Sequence, residues 1–311
     1  MKQDLGRSSA APPGAAAPRR GVRAVPAAVR VPQWSKNVLL FAAPGAAGVL
    51  DRGADLERVF AAALLFCLLS SGTYLVNDTV DAAADRLHPT KQLRPVAAGL
   101  ISGRAALTAG IVLMTAAVGL AALLSWQLAV VMALYVAVQT AYSTWLKHVA
   151  VYDLACVASG FVLRAIAGAV AVHVPVSQWF LIVATFGSLL MVTGKRLAEH
   201  LELGAERGGH RRTLDAYSPT FLRTVVAISA GGAIIGYCLW AFDLQTALQH
   251  HADPIWFQLS IVPMLLALLR YTYLVEQGRG ARPEQLVFSD RSLPALGLVW
   301  VVLFAVAVYG H

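Results

Sequence analysis

Asn77, Asp78, Asp81 and Asp85 follow the pattern N-D-x-x-D-x-x-x-D at the end of an apolar stretch, and Arg86, His88, Lys91 and Arg94 come directly after them. On a continued helix Asn77, Asp81 and Asp85 recur every four residues along one row, with Asp78 on the adjoining row. Oxygen donors so placed suit one or two hard divalent cations. Mg2+ takes one or two carboxylates plus phosphate oxygens in preference to an all-protein cage, so the pattern points to a metal that in turn holds a diphosphate. Three like charges on one short arc repel each other, and at a membrane boundary they are poorly solvated; a bound cation relieves both costs. The alternative reading is a solvated helix end balanced by the basic residues that follow.

A second charged stretch, 195 to 219, carries Lys195, Arg196, Glu199, His210, Arg211, Arg212, Asp215 and Tyr217 but no matching acidic cluster. Lys195 and Arg196, with Lys36, Lys91, Arg94 and Lys147, are therefore candidates to bind anionic oxygens directly. One diphosphate and one further phosphate are the ligands that this division of charge suggests. Glu199 and Asp215 either assist a second metal or balance Arg211 and Arg212, and balance is the expectation. Arg164 lies inside an apolar stretch, where a charge costs about 2.5–3.5 kcal/mol on insertion scales, so it should face the bundle interior or an aqueous cavity. Bracing a neighbouring helix and binding substrate are both open to it. Asp153, eleven residues earlier, returns to nearly the same helical face about 16 Å away, too far to touch but able to line the same cleft. Tyr142 and Lys147 at an inner helix end, and Lys36 beside Trp34 and Asn37 at the entrance to the first apolar span, complete the candidates. Gly160 and Gly168 suggest close helix contact.

The elements that hold these residues belong to a membrane. With 58% hydrophobic and 14% charged residues in 311, the chain is too apolar for a soluble domain of that length. Nine apolar spans are expected, near 37–50, 59–77, 105–124, 126–144, 149–172, 178–194, 220–242, 254–274 and 292–310, which makes the fold an all-α polytopic helical bundle. The first is short and carries Pro44 and Gly45. With the N-terminus inside, only Arg52 and Arg58 of the 25 Lys and Arg residues fall in outward loops and Arg164 falls within a span. That asymmetry predicts a cytoplasmic N-terminus and places both charged stretches, 78–104 and 195–219, on the cytoplasmic side. They follow the second and sixth spans, which suggests two topologically similar halves that share one cleft. Residues 1–30, rich in Ala and Pro with five arginines, read as a disordered basic tail against anionic headgroups, and 31–311 as the membrane domain. The net charge of +8 sits in short loops between spans, which favours lipid and phosphate over nucleic acid. Cys67, Cys156 and Cys238 all lie in apolar spans and read as small core residues. No HExxH, P-loop or GxGxxG pattern is present, so zinc and nucleotide-fold chemistry are unsupported.

These residues carry a resemblance. The N-D-x-x-D-x-x-x-D pattern after the second of nine spans, with a polar loop after the sixth, resembles the UbiA-type polyprenyltransferase superfamily. Gln33-Trp34-Ser35-Lys36-Asn37, Tyr74-Leu75-Val76-Asn77-Asp78, His88-Pro89-Thr90-Lys91, Leu163 to Gly168 and Gly194-Lys195-Arg196 are similar to an actinobacterial phosphoribosyltransferase branch of it, over about residue 30 to the end. Two departures stand out. Where the superfamily has a second D-x-x-x-D motif this chain reads Gly-Lys-Arg-Leu-Ala-Glu, and the Y-x-x-x-K element is stretched, with Tyr142 and Lys147 five apart. A prenyl diphosphate clamped by metal at both motifs is thus not expected. The resemblance implies transfer of 5-phosphoribosyl from 5-phosphoribosyl 1-diphosphate to decaprenyl phosphate at the plasma membrane, releasing diphosphate, for cell-wall arabinan. It further implies Mg2+ held by Asn77, Asp78, Asp81 and Asp85, with Lys36, Lys91, Arg94, Tyr142, Lys147, Arg164, Lys195 and Arg196 binding substrate, and leaves room for a homo-oligomer. Prenyl transfer to an aromatic or other small acceptor, and non-enzymatic transport, are the competing readings.

Overall fold

The computed structural model describes residues 24–88, 90–203, 216–247, 254–281, 286 and 289–310. In chain order its helices are α1 (Ala24–Ala28), α2 (Ala42–Ala46), α3 (Gly53–Val80), α4 (Ala82–Arg86), α5 (Gly103–Leu124), α6 (Trp126–Thr144), α7 (Tyr152–Ala171), α8 (Gln178–Leu203), α9 (Pro219–Ala247), α10 (Pro254–Glu276) and α11 (Ser292–Tyr309). No strand occurs among the described residues. Eight helices, α3 and α5 to α11, are long and apolar enough to cross a membrane. Large apolar side chains on their outer faces stay exposed, among them Leu123, Leu134, Ile235 and Leu298, as lipid rather than water requires.

The first expected span, 37–50, is built differently. A 3-10 run, Val31–Phe41, carries Pro32 in its first turn, and α2 follows with Pro44 inside it. Three residues per turn eclipses positions i and i+3, so Trp34, Asn37 and Leu40 fall on one row. That row is the docked face: Asn37 and Leu40 are buried, and the Trp34 indole donates to Ser71 Oγ of α3 at 3.0 Å.

Two cores meet on α7. Leu40, Phe66, Met132, Tyr135, Leu163 and Ala167 belong to one, and Leu154, Leu190, Leu197, Leu222, Leu274 and Leu293 to the other. α7 contributes to both clusters, through Leu163 and Ala167 to one and Leu154 to the other. Small residues set the close approaches, as membrane helices favour. At Gly72 on α3 a methyl would stand 2.7 Å from the Gly110 carbonyl of α5, and at Gly168 on α7 it would stand 1.7 Å from the Leu40 carbonyl. The close helix contact expected at Gly168 is thus a backbone contact with the 3-10 run. Ser125 ends α5 and caps α6 by accepting from the Leu128 N–H.

Two boundaries differ from expectation. α8 continues nine residues past 194, because Leu197 and Ala198 are fully buried and extend the apolar stripe. Lys195, Arg196 and Glu199 thereby ride a helix instead of a loop. Residues 24–30, expected to be disordered, are ordered: Ala28 packs with Leu75, Val96 and Ala106. A short apolar run beside a small-residue groove outweighs the Ala/Pro composition there. Residues 1–23 of the expected tail, and His210, Arg211, Arg212 and Asp215 of the second loop, lie outside the described residues.

Gly168→Ala should force the 3-10 run off α7 and cost about 1–3 kcal/mol, the range of overpacked cores. Gly119→Ala on α5, with nothing within 4 Å, should be neutral. Thermal unfolding of the two variants in one detergent compares them directly.

Candidate active site

α3 stops at Val80, and Asp81 joins it to α4 while keeping helical dihedrals, φ −85° and ψ −2°. The Asp81 N–H donates to the Asn77 carbonyl at 2.9 Å and the Asp85 N–H to the Asp81 carbonyl at 2.8 Å, so the four-residue row survives the break. Asp78 and Asp85 are buried, and Asn77 and Asp81 are half-buried.

Each carboxylate has a cation. Asp78 Oδ1 accepts from both Arg30 and Arg94, the latter at 3.2 Å. Arg94 also donates to Asp85 Oδ2 at 2.6 Å, and Lys147 donates to Asp81. Arg94 owes its place to His88, whose ring Nδ1 accepts the backbone N–H of Thr90 and of Lys91, each at 3.3 Å. Those bonds wind the Lys91–Leu93 turn that presents Arg94. Lys91 sits half-buried on the same turn.

The second charged group gathers around α7. Arg196 of α8 reaches Asp153 at 3.5 Å and Glu199 at 3.2 Å, and Lys195 reaches Glu199 at 3.9 Å. Glu199 therefore balances Lys195 and Arg196; its expected partners Arg211 and Arg212 lie outside the described residues. Asp153 also accepts from the Tyr217 hydroxyl, which itself accepts the Val151 N–H at 2.6 Å. Val151 has φ 71°, ψ −47°, a costly conformation for a β-branched residue, held by this bond just before α7 begins. Burial, then the hydrogen bond to Asp153, push the Tyr217 phenol well above its ordinary range.

The stretched Tyr142–Lys147 spacing has a structural reason. α6 ends at Thr144, and Trp145 breaks into the 3-10 turn Leu146–His148. Lys147 is thereby delivered to Asp81, while Tyr142 stays within electrostatic range of Arg196. One element thus spans both charged groups. Lys36 lies over the Phe161 ring, 5.7 Å from its centroid, on the wall of α7.

Arg164 takes the bracing role. Its guanidinium donates to Asn37 Oδ1 at 2.9 Å, to the Gly160 carbonyl at 2.8 Å and to the Tyr135 hydroxyl at 2.8 Å, and it lies over the Tyr135 ring. A buried charge without a carboxylate is satisfied here by three neutral acceptors and a π-face. It pins the 3-10 run, and so Lys36, to α7.

Sequence reading missed Arg30 and the part played by Tyr217. The signal for Arg30 was the apolar run Ala24–Ala28 next to it; Tyr217 stood among the loop residues with no mark of its long-range partners.

Among the described residues no group of three or more His, Cys, Asp or Glu side chains is arranged to hold a metal ion. Asn77, Asp78, Asp81 and Asp85 nonetheless form the hard-oxygen donor set that Mg2+ takes. To hold a metal, their carboxylates would exchange Arg30, Arg94 and Lys147 for it.

The chain is a bundle of membrane-long helices whose first, α3, ends in a ladder of aspartates. Residues 38–293 match the UbiA prenyltransferase family, and the chain belongs to it. Among curated relatives, it is 42% identical over 313 residues to the decaprenyl-phosphate phosphoribosyltransferase of Mycolicibacterium smegmatis, spanning 97% of this chain and 98% of that protein. It is 43% identical over 298 residues to the protein of the same name from Mycobacterium tuberculosis, spanning 94% and 96%. Among solved structures, a UbiA homolog from Archaeoglobus fulgidus bound to GPP and Mg2+ aligns with a TM-score of 0.70 at 19% identity, over 93% of this chain and 100% of that one. The digeranylgeranylglyceryl phosphate synthase structure aligns with a TM-score of 0.65 at 12% identity, over 93% and 99%. At those identities the likeness is one of fold.

Tyr217→Phe should cost about 1–3 kcal/mol, because it strands the Asp153 carboxylate and the Val151 N–H. The raised phenol pKa adds a sign. The tyrosine's stabilising share is whole below the unfolded value of 10.0 and is lost as pH climbs through the folded one. Denaturation profiles across alkaline pH should therefore fall more steeply for the parent than for the Phe variant.

Proposed function

We propose that the protein transfers the 5-phosphoribosyl group of 5-phosphoribosyl 1-diphosphate to decaprenyl phosphate, giving decaprenyl-phosphoryl-5-phosphoribose and diphosphate. The observation that carries this reading is the asymmetry of the two charged groups. Both groups are paired with cations, but only the first sets three carboxylates and Asn77 along one helical path, as a metal-held diphosphate requires, while in the second Asp153 and Glu199 stand on separate helices, α7 and α8. One diphosphate and one phosphate fit that division; two metal-bound acidic motifs around a prenyl diphosphate do not. The names of the relatives, at 42% and 43% identity over nearly the whole chain, support the same reaction.

In this reading Asn77, Asp78, Asp81 and Asp85 hold Mg2+. The chemistry that a bound Mg2+ supplies is charge stabilisation on the departing diphosphate. Arg94 and Lys147, on releasing their carboxylates, turn to anionic oxygens, and Lys91 adds a third cation from the same side. An oxygen of the lipid phosphate attacks the anomeric carbon; the bond from that carbon to diphosphate breaks, and its electron pair leaves with the diphosphate. No proton changes hands, so no general base is required. The imidazole of His88 accordingly serves the backbone of its own turn. The aspartates lie near the sugar that gains positive character as the bond breaks. Lys36 and Lys195 are assigned to the remaining phosphates, with Arg196 and Tyr142 shaping the wall between the two groups. Holding the reactants in one cleft supplies much of the rate.

The cleft is assigned to the cytoplasmic side of the plasma membrane. With the N-terminus inside, the sequence puts only Arg52 and Arg58 of its 25 Lys and Arg residues in outward loops, and 5-phosphoribosyl 1-diphosphate is a water-soluble anion.

Labelled 5-phosphoribosyl 1-diphosphate incubated with the purified protein, Mg2+ and decaprenyl phosphate should give a labelled lipid. Product from a prenyl diphosphate and an aromatic acid, with no labelled lipid, would replace this reading by prenyl transfer. Asp78→Asn and Asp81→Asn should each lower the rate on the order of a hundredfold or more at unchanged expression, the scale of lost charge stabilisation. A transporter would keep its flux in both variants.

A further inference from the structure

Asp78 is 2% exposed, and the two arginine side chains that meet its Oδ1 are roughly ten times as exposed, Arg30 at 22% and Arg94 at 24%. The arginines thus stand between the carboxylate and the open side of the cleft. A metal ion reaches Asp78 only after they yield. Arg94 is shared with Asp85, but Arg30 comes from outside the helical ladder altogether, 48 residues earlier in the chain.

Arg30 is held in place by its own segment. It occupies the left-handed region, φ 53° and ψ 50°, between α1 and the 3-10 run, and its guanidinium lies 4.7 Å from the Tyr74 ring centroid, one turn before Asp78 on α3. The Val29 carbonyl accepts from Ser71 Oγ at 3.0 Å, and Ala28 is buried against α3 and α5. An arginine of a loose tail would not be sewn down on three sides in a backbone conformation that non-glycine residues seldom adopt.

Charge then links two ligands. Asp78, Asp81 and Asp85 against Arg30, Arg94 and Lys147 sum to zero. A divalent ion joining the carboxylates leaves a surplus of two positive charges and three cations without partners at the edge of an apolar bundle, a state that needs an anion to follow. We propose that Arg30 is a donor-binding residue that serves as the counter-ion of Asp78 in the empty cleft and passes to an anionic oxygen of the phosphoribosyl donor when Asp78 takes the metal. The proposal rests on the function assigned above. Its consequence is that metal and donor bind with positive coupling, each raising the affinity for the other by the same factor, and that Arg30 carries part of that factor.

The test is Mn2+ binding to the full-length protein in detergent, followed by electron paramagnetic resonance with and without 5-phosphoribosyl 1-diphosphate. Arg30→Gln should bind Mn2+ alone more tightly than the parent, by roughly tenfold, since a unit charge at contact distance has been removed from the site. It should bind the donor more weakly and show a smaller coupling factor. Arg30→Lys should restore parent-like Mn2+ affinity. Tyr74→Leu, which loosens the guanidinium without touching a carboxylate, should move Mn2+ affinity in the same direction by a smaller factor and replaces the glutamine variant if that chain does not fold. Unchanged or weaker Mn2+ binding in folded Arg30→Gln overturns the inference while leaving the reaction in place. Donor binding indifferent to Mn2+ in the parent overturns the reading of the cleft as well.

Discussion

Three carboxylates at one edge of an apolar bundle demand three positive charges, and much of that end of the protein is arranged to bring them there. Asp78, Asp81 and Asp85 lie on one continuous helical path, so no local rearrangement separates them. The matching cations come from three unrelated places: Arg30 before the first membrane element, Arg94 after α4, and Lys147 after α6. A buried carboxylate without its partner costs several kcal/mol. Seating the N-terminal segment, winding the turn at His88 and breaking α6 at Trp145 are therefore parts of one electrostatic solution.

That solution relies on the rigidity of the first core. Arg164 joins the 3-10 run to α7 and α6 through Asn37, Gly160 and Tyr135, and Gly168 lets the Leu40 carbonyl sit against α7 with no side chain between. The intramembrane arginine is thus a structural brace whose cost is met by neutral acceptors. Its functional weight is indirect, since the run that it fixes carries Lys36 and leads back to Arg30.

The sequence made the membrane class, eight of the long helices and the aspartate ladder legible, because hydropathy and four-residue spacing are local properties. Asn77 to Asp85 could be placed on a face without knowing what they faced. What stayed hidden was of two kinds. Partners far apart in the chain leave no local mark, so Arg30 with Asp78 and Tyr217 with Asp153 could not be paired by spacing. Ordered irregular structure also escapes a periodicity argument: Pro44 and Gly45 marked the first span as short and irregular, but not that a 3-10 row would set Trp34, Asn37 and Leu40 on a single docked face. The boundary of α8 was missed for a related reason, since Lys195, Arg196 and Glu199 look like a loop in composition while Leu197 and Ala198 keep the helix buried.

The extra residue between Tyr142 and Lys147 gathers these strands of reasoning. On an unbroken helix, residues five apart point about 140° away from each other, so they could not serve one small site. Here the break at Trp145 turns that mismatch to use, sending Lys147 to the aspartate ladder and leaving Tyr142 beside Arg196. The same connection then touches the acidic group of one half and the basic group of the other. The two charged groups differ in arrangement more than in balance: each is matched by its own cations, yet the first sets three carboxylates on one helical path while the second holds two on separate helices, α7 and α8. A row of oxygen donors can gather around one hard cation, and a pair split between helices that already share an arginine cannot do so without parting them, which is why the two ends of this connection serve different purposes.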